Sequence, residues 1–397
     1  GRRDRYADGV RRLVELYQRG VPIQDLRNAA LDASSDESAS QRVFPNVDGI
    51  KFLTHTGGCG GTREDAAALC ELLAAYIDHP NVAGATVLSL GCQNAQLSML
   101  EDAVARRRQG HQKPLIQLEQ QRSGTEKSLM DEAIRGTFAG LAEANDVMRA
   151  PAPMSHLVFG VECGGSDGFS GITANPAIGR AADLCVALGG TVLLSEFPEL
   201  CGVEQELIDR SVSVDVAARF AELQRTYAAR AEAVGSSFDM NPSPGNIRDG
   251  LITDAMKSAG AARKGGTSPV VDVLDYTQTA RRPGLNLVCT PGNDVESTTA
   301  LAAAGANVVL FSTGLGTPTG NPIVPVIKIS TNTPLARRMP DVIDLDAGGM
   351  IEGEETLEEV GARILDLAIE VASGRVEPAA VRLGQDDFIP WKRGISL

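Results

Sequence analysis

Residues 162–176 collect more hydrogen-bonding and ionisable side chains than any turn needs for packing. They read Glu162-Cys163-Gly164-Gly165-Ser166-Asp167-Gly168-Phe169-Ser170-Gly171-Ile172-Thr173-Ala174-Asn175-Pro176. A carboxylate, a thiol, an aspartate, two hydroxymethyls, a threonine and an amide lie within one turn, and four glycines let the backbone approach a ligand closely. Two further cysteines, Cys59 and Cys92, also abut glycines. The sequence separations between Cys59, Cys92 and Cys163 fit no zinc-finger spacing, so a metal shared by them would have to be assembled by the fold. His55 precedes Cys59 by one helical turn's length, and both residue types ligate iron or zinc. With Glu162 they form a candidate metal-binding set. Lys257, Lys264 and Lys328 stand in loops or at strand ends, where a cation pairs with a carboxylate substrate or, if desolvated, acts as a base. The glycine-rich run at 57–61 lacks the lysine and serine of a phosphate-binding loop, and there is no Gly-x-Ser-x-Gly elbow.

These residues need elements to hold them. The 162–176 loop follows His156–Val161, an apolar β-branched run typical of a buried parallel strand. The same pattern, strand then glycine-rich polar loop then helix, recurs from Gly49–Thr54, Thr86–Leu90, Leu115–Leu118, Thr191–Leu194, Leu285–Cys289, Val308–Phe311 and Val324–Ile329. Such alternation predicts an α/β fold of two Rossmann-like parallel-sheet subdomains, with the active site at the strand carboxyl ends. The expected division is a helical lead-in over residues 1–43, a first subdomain over 44–240 and a second over 241–397, opening at the turn sequence Asn241–Asn246. The lead-in combines a basic amphipathic helix with a polar linker at Ser34–Ser40. A long helical segment is expected over 203–234 and a last helix over 357–372. The single tryptophan, Trp391, reads as packing.

At 397 residues and 43% hydrophobic content the chain is long enough for two cores. A net charge of -14 argues against nucleic acid or a membrane surface as partner. No apolar stretch approaches the roughly 18 residues that span a bilayer, and a cytoplasmic location with reduced thiols is expected.

Several stretches together resemble the altronate/galactarate dehydratase family of sugar-acid hydro-lyases: Phe44–Gly49, His55–Gly60, His79–Gly84, Gly91–Asn94, Glu162–Pro176, Ser195–Glu199, Asn241–Asn246, Lys264–Ser268, Ser312–Gly320 and Lys328–Thr333. The resemblance runs over residues 44–397, and Thr313–Pro322 with Gln385–Gly394 are more similar to the altronate than to the galactarate enzymes. Gln93 stands where many relatives have glutamate. Family members carry a small N-terminal SAF-type domain whose pattern this chain does not show. The resemblance therefore implies such a domain or a separate small subunit as partner, as in the related sulfolactate sulfo-lyases, within a homo-oligomer.

What the resemblance implies chemically is dehydration of D-altronate with a divalent metal, Fe2+ or else Mn2+, with an iron–sulfur cluster on glycine-flanked cysteines as the other arrangement. Cys59, Cys92, Glu162 and Cys163 would hold the metal, with His55 beside them. Ser166, Asp167, Ser170, Thr173, Asn175, Asn246 and Thr313 would hold substrate hydroxyls, and Lys264 or Lys328 its carboxylate. Lys257, Lys264 and His55 remain alternatives for the base. Galactarate, sulfolactate cleavage, or sugar-acid binding without catalysis are the other expectations.

Overall fold

In a computed structural model, which describes residues 7–29, 43–107 and 113–396, nine strands form two sheets. A small one pairs β1 (Ala85–Ser89) with β2 (Leu115–Glu119) in parallel. The larger has seven strands: β3 (Val158–Cys163), β4 (Thr191–Leu194), β5 (Val270–Leu274), β6 (Gly284–Val288), β7 (Val308–Thr313), β8 (Val326–Ser330) and β9 (Leu345–Asp346). Their order is β5-β6-β4-β3-β7-β8-β9, with every pairing parallel. The expected α/β class with two parallel sheets is what the chain forms.

Both faces of the large sheet are covered, which is why its strands read as nearly continuous apolar runs. Val161, Leu194 and Leu310 pack on one side against Ile178, Phe220 and Ile364, from the helices Ala174–Ala187, Val214–Glu232 and Leu357–Ala372. Their strand neighbours Leu193, Val309 and Phe311 alternate to the other face. There they meet Leu301 of the Asp294–Ala303 helix and Leu72 and Tyr76 of the Arg63–Asp78 helix. That last helix starts on a capping box between Thr62 and Asp65 and also builds the small core, with Cys70 and Ala74 against Leu100 and Val104. It therefore ties the small sheet to the large one. The Tyr76 hydroxyl fixes the junction, donating to the Thr299 carbonyl (3.1 Å) and accepting from Asn321 Nδ2 (3.0 Å).

Several expectations change. The large sheet takes strands from both sides of residue 240, so the division expected at 240/241 runs through it, while the small sheet is built from 85–119 alone. The Asn241–Asn246 turn joins elements of one sheet, because turn composition marks a change of direction and not a change of core. Gly49–Thr54 is irregular chain, and β5 and β9 were not anticipated. The helical segment divides into Glu204–Asp209 and Val214–Glu232. The lead-in helix spans Ala7–Gln18, whereas Ser34–Ser40 falls outside the described residues. Trp391 packs on Tyr227 and Tyr276 beneath the Arg393 guanidinium. Among the described residues no helix is long and apolar enough to cross a membrane.

Candidate active site

From β3 at the middle of the sheet, the chain moves first to β4 on one side and, after β5 and β6, returns to β7 on the other. This is the kind of switch point where parallel sheets open a crevice at the strand carboxyl ends. The loops after β3 and β4 meet there. Glu162 and Cys163 end β3, and Glu196 and Glu199 follow β4 in a short 3-10 turn. Glu196 has φ 65°, in the left-handed region that a residue with a side chain seldom occupies. Its N–H donates to Thr290 Oγ1 (2.8 Å), which holds this strained turn in place.

The side chains form one buried cluster. Ser195 and Ser297 hydroxyls donate to Glu162 Oε2 (3.0 and 2.6 Å). Lys264 Nζ donates to Cys163 Sγ (3.0 Å) and pairs with Glu196 Oε2. Cys163 Sγ lies 3.4 Å from Glu199 Oε2. Glu199 Oε1 pairs with Lys257 Nζ (2.7 Å) and accepts from Asn241 Nδ2 (3.1 Å). A narrow cleft lined by Pro198, Cys201, Asn241 and Asp254 leads to this Glu199–Lys257 pair.

The three carboxyls are held in different states. Burial, then the neighbouring Glu196, pushes Glu162 well above the usual carboxylate range. Burial and Glu199 raise Glu196 to about 7. Burial also opposes the charge on Glu199, but Lys257 and Lys264 outweigh it and hold that carboxyl low. Burial likewise works against the charge on Lys264, yet Cys163 and Glu196 keep its ammonium well above the ordinary lysine value. Burial and Glu196 push the Cys163 thiol up. Neighbouring acids with separated pKa values are how one site supplies both a proton donor and an anion at neutral pH.

The cluster fits a divalent metal. Donor atoms of Cys163, Glu196 and Glu199 all lie within 4.8 Å of one another, a grouping that no other His, Cys, Asp or Glu set among the described residues makes. Glu162 Oε1 and Glu196 Oε1 are buried without a hydrogen-bond partner, as oxygens awaiting a proton or cation would be. A thiolate with carboxylates suits a borderline metal. One thiol does not suit an iron–sulfur cluster, which is held by several cysteinates.

Of the expected metal residues, the fold therefore brings Glu162 and Cys163 together. Cys59, Cys92 and His55 are exposed in the small unit, where Cys92 Sγ accepts from Gln121 Nε2 (3.2 Å) and burial around the ring lowers the pKa of His55. Of the expected hydroxyl-binding residues, most bind one another. Asp167 accepts from Ser170 Oγ (3.0 Å), Thr331 Oγ1 (2.9 Å) and Asn332 Nδ2 (3.0 Å), and a Cβ on Gly314 would collide with it. Thr173 Oγ1 donates to the Thr331 carbonyl (2.8 Å), Asn175 joins Gly260 to Ser312, and Asn246 Nδ2 donates to the Ser166 carbonyl (2.8 Å). Thr313 Oγ1 accepts from the Gly316 and Thr317 amides. These groups lock the strand-end loops to one another. Sequence reasoning missed Glu196 and Glu199; a Glu-x-x-Glu spacing just past a predicted strand end was the available signal.

Buried acids and lysines with displaced pKa values, gathered at the carboxyl edge of a parallel sheet, define a catalytic α/β protein. The profile for the second domain of D-galactarate dehydratase/altronate hydrolase matches residues 8–145, and that for the C-terminal domain of D-galactarate/altronate dehydratase matches 154–396. The chain is 38% identical over 355 residues to altronate dehydratase of Escherichia coli K12, and 38% over 357 residues to that of Bacillus subtilis 168. Each match covers 88% of this chain and 69% of the relative. It is 31% identical over 391 residues to the beta subunit of (2R)-sulfolactate sulfo-lyase from Chromohalobacter salexigens, covering 98% of this chain and 95% of that subunit. The chain belongs to the D-galactarate/altronate dehydratase family and is an enzyme of the hydro-lyase class. Sugar-acid binding without catalysis is thereby set aside.

Proposed function

We propose that the chain dehydrates D-altronate to 2-dehydro-3-deoxy-D-gluconate. The observation that carries this is the buried Glu162–Cys163–Glu196–Glu199–Lys264 cluster at the ends of β3 and β4, in a chain 38% identical to two altronate dehydratases. The proton at C2 of an aldonate is weakly acidic, so removing it requires stabilisation of the charge that then spreads onto the carboxylate. Cys163, Glu196 and Glu199 would hold the metal, Fe2+ or Mn2+, which when bound supplies a Lewis acid for that carboxylate. Lys264, kept cationic in a dry setting, adds a fixed positive charge to the same region. Lys257, which lines the cleft beside Glu199, would meet the incoming carboxylate. Burial and the neighbouring Glu196 push Glu162 towards its protonated form, which would suit it to give a proton to the departing C3 hydroxyl.

The near full-length match to a sulfo-lyase beta subunit favours a second reading, in which the same carbanion expels sulfite from sulfolactate. Anaerobic incubation of the protein with ferrous iron and D-altronate, galactarate or sulfolactate, following 2-keto-3-deoxy acid and sulfite, separates the two. Altronate turnover is expected, with Cys163→Ala losing both bound metal and turnover. Sulfite release alone would transfer the assignment to the second reading, and full activity in Cys163→Ala would remove the thiol from the site.

A further inference from the structure

Asn241 lines the cleft and belongs to neither the acids nor the lysines of the cluster. It follows the 3-10 turn Phe238–Met240, and its side chain reaches two other elements. Nδ2 donates to Oε1 of Glu199 in the turn after β4 (3.1 Å), and Oδ1 accepts from Nζ of Lys257 in the helix Asp254–Ala262 (2.8 Å). Lys257 Nζ stands 2.7 Å from the same Glu199 Oε1, so the three side chains close a triangle. Gly292, in the loop after β6, borders it: a Cβ there would stand 3.5 Å from Glu199 Oε1 and 3.6 Å from Asn241 Nδ2. Lys328 Nζ, buried 3.3 Å from the centre of the Phe311 ring with no hydrogen-bond partner, takes no part in this arrangement.

An ionised carboxylate only accepts hydrogen bonds and an ammonium only donates them. The two neighbours therefore fix the amide's orientation, nitrogen toward Glu199 and oxygen toward Lys257. Aspartate at this position would lose the donor, and leucine, of similar size, would lose both bonds. The consequence lies on the other side of Glu199. With Oε1 taken by Asn241 and Lys257, Oε2 is the oxygen turned to the cluster, 3.4 Å from Cys163 Sγ. A ligating carboxylate is oriented by the hydrogen bonds that its other oxygen accepts. Lys257 is a poor lasting anchor for Glu199 if it also meets substrate, because an ammonium that turns to an incoming carboxylate loosens its hold on the first one. The amide of Asn241 is neutral and is drawn to that anion far less.

We propose that Asn241 is a positioning residue. Its Nδ2 keeps Glu199 Oε2 turned toward Cys163, as a metal ligand, while Lys257 passes from Glu199 to the substrate carboxylate, and its Oδ1 keeps Lys257 at the cleft during that exchange. No bond is made or broken at Asn241. The passage of Lys257 rests on the lyase reading above, whereas the hold on Glu199 is independent of which acid is the substrate.

The test uses the full chain and reads metal binding apart from turnover. Mn2+ is titrated into wild type and Asn241→Leu without substrate, following the free ion by its EPR signal, and D-altronate kinetics are then run with ferrous iron. In Asn241→Leu the Kd for Mn2+ should rise by about 10–100-fold. In Asn241→Asp, which keeps an acceptor for Lys257 but sets a second anion in the cleft, KM for D-altronate should rise at least about tenfold, more than kcat falls. A residue that only packs would lower the urea midpoint of Asn241→Leu and leave the Kd where it was. If that variant does not fold, Asn241→Ser, too short to reach both partners, is judged by the same titration. Wild-type affinity for Mn2+ in the folded variants overturns the positioning role, as does a wild type that holds no Mn2+, and a wild-type KM in Asn241→Asp overturns the part played by Oδ1. Mn2+ binding with turnover of none of the three acids would sink the substrate assignment instead, and a raised Kd in Asn241→Leu would then still uphold the hold on Glu199.

Discussion

Lys328→Met should make the protein more stable, and the size of the gain follows from the site. The amine's pKa falls from 10.5 to about 7 because the folded chain surrounds it with β-sheet and a phenyl ring. Each unit is worth about 1.4 kcal/mol, so keeping lysine here costs roughly 5 kcal/mol when the unfolded chain is fully protonated. Methionine keeps the packing of the stem on Phe311 but loses an ammonium–ring attraction of about 1–2 kcal/mol. A net gain of roughly 3 kcal/mol remains, in the range seen when buried charges give way to apolar residues. The sign with pH is definite. The unfolded lysine binds its proton up to about 10.5 and the folded one only below about 7, so the wild type carries the whole penalty below pH 7. It recovers about 1.4 kcal/mol for each pH unit above that. Denaturant midpoints at pH 6.5 and pH 9 should therefore favour the variant clearly at the lower pH and hardly at all at the higher, with the slope m unchanged. A variant less stable than wild type at pH 6.5, or a difference independent of pH, would refute the reasoning.

Lys264→Met should act in the opposite direction. Removing the cation between Cys163 and Glu196 leaves buried acids uncompensated, and about 3–5 kcal/mol of stability should be lost in a urea titration; an unchanged midpoint would show that the cluster holds no charge. Asp167→Ala strips the acceptor from Ser170, Thr331 and Asn332, so roughly 2–4 kcal/mol should disappear from the same titration if this carboxylate is a loop lock. Tyr76→Phe leaves the Asn321 amide without its acceptor and should cost about 1–2 kcal/mol, and a neutral effect would mean that the junction between the units is held by packing alone.

Alternation of apolar runs with glycine-rich loops was enough to place seven strands of the two sheets near their observed positions, because strands buried on both faces must be apolar throughout. The segments that escaped notice lacked that signature: β9 is two residues long, and β5 carries Asp272 in its middle beside an irregular register. Lys264 and Cys163 were legible as chemistry, yet their contact at 3.0 Å joins residues 101 apart in the chain. Asp167, Ser170 and Thr173 have the residue types of a sugar-binding loop, and in the structure those hydrogen bonds close on the protein itself.

Residue types and periodicity by themselves determined the α/β class and the strand ends as the place for chemistry, since each of these depends on local pattern, while the family was legible from the resemblance of whole motifs. Only the tertiary structure decided which acids share a site. Hydrogen-bond partners, the loss of water around Glu162 and Lys328, and the left-handed turn at Glu196 all depend on neighbours supplied by distant strands and helices, and desolvation is a property of that surrounding shell and not of the residue.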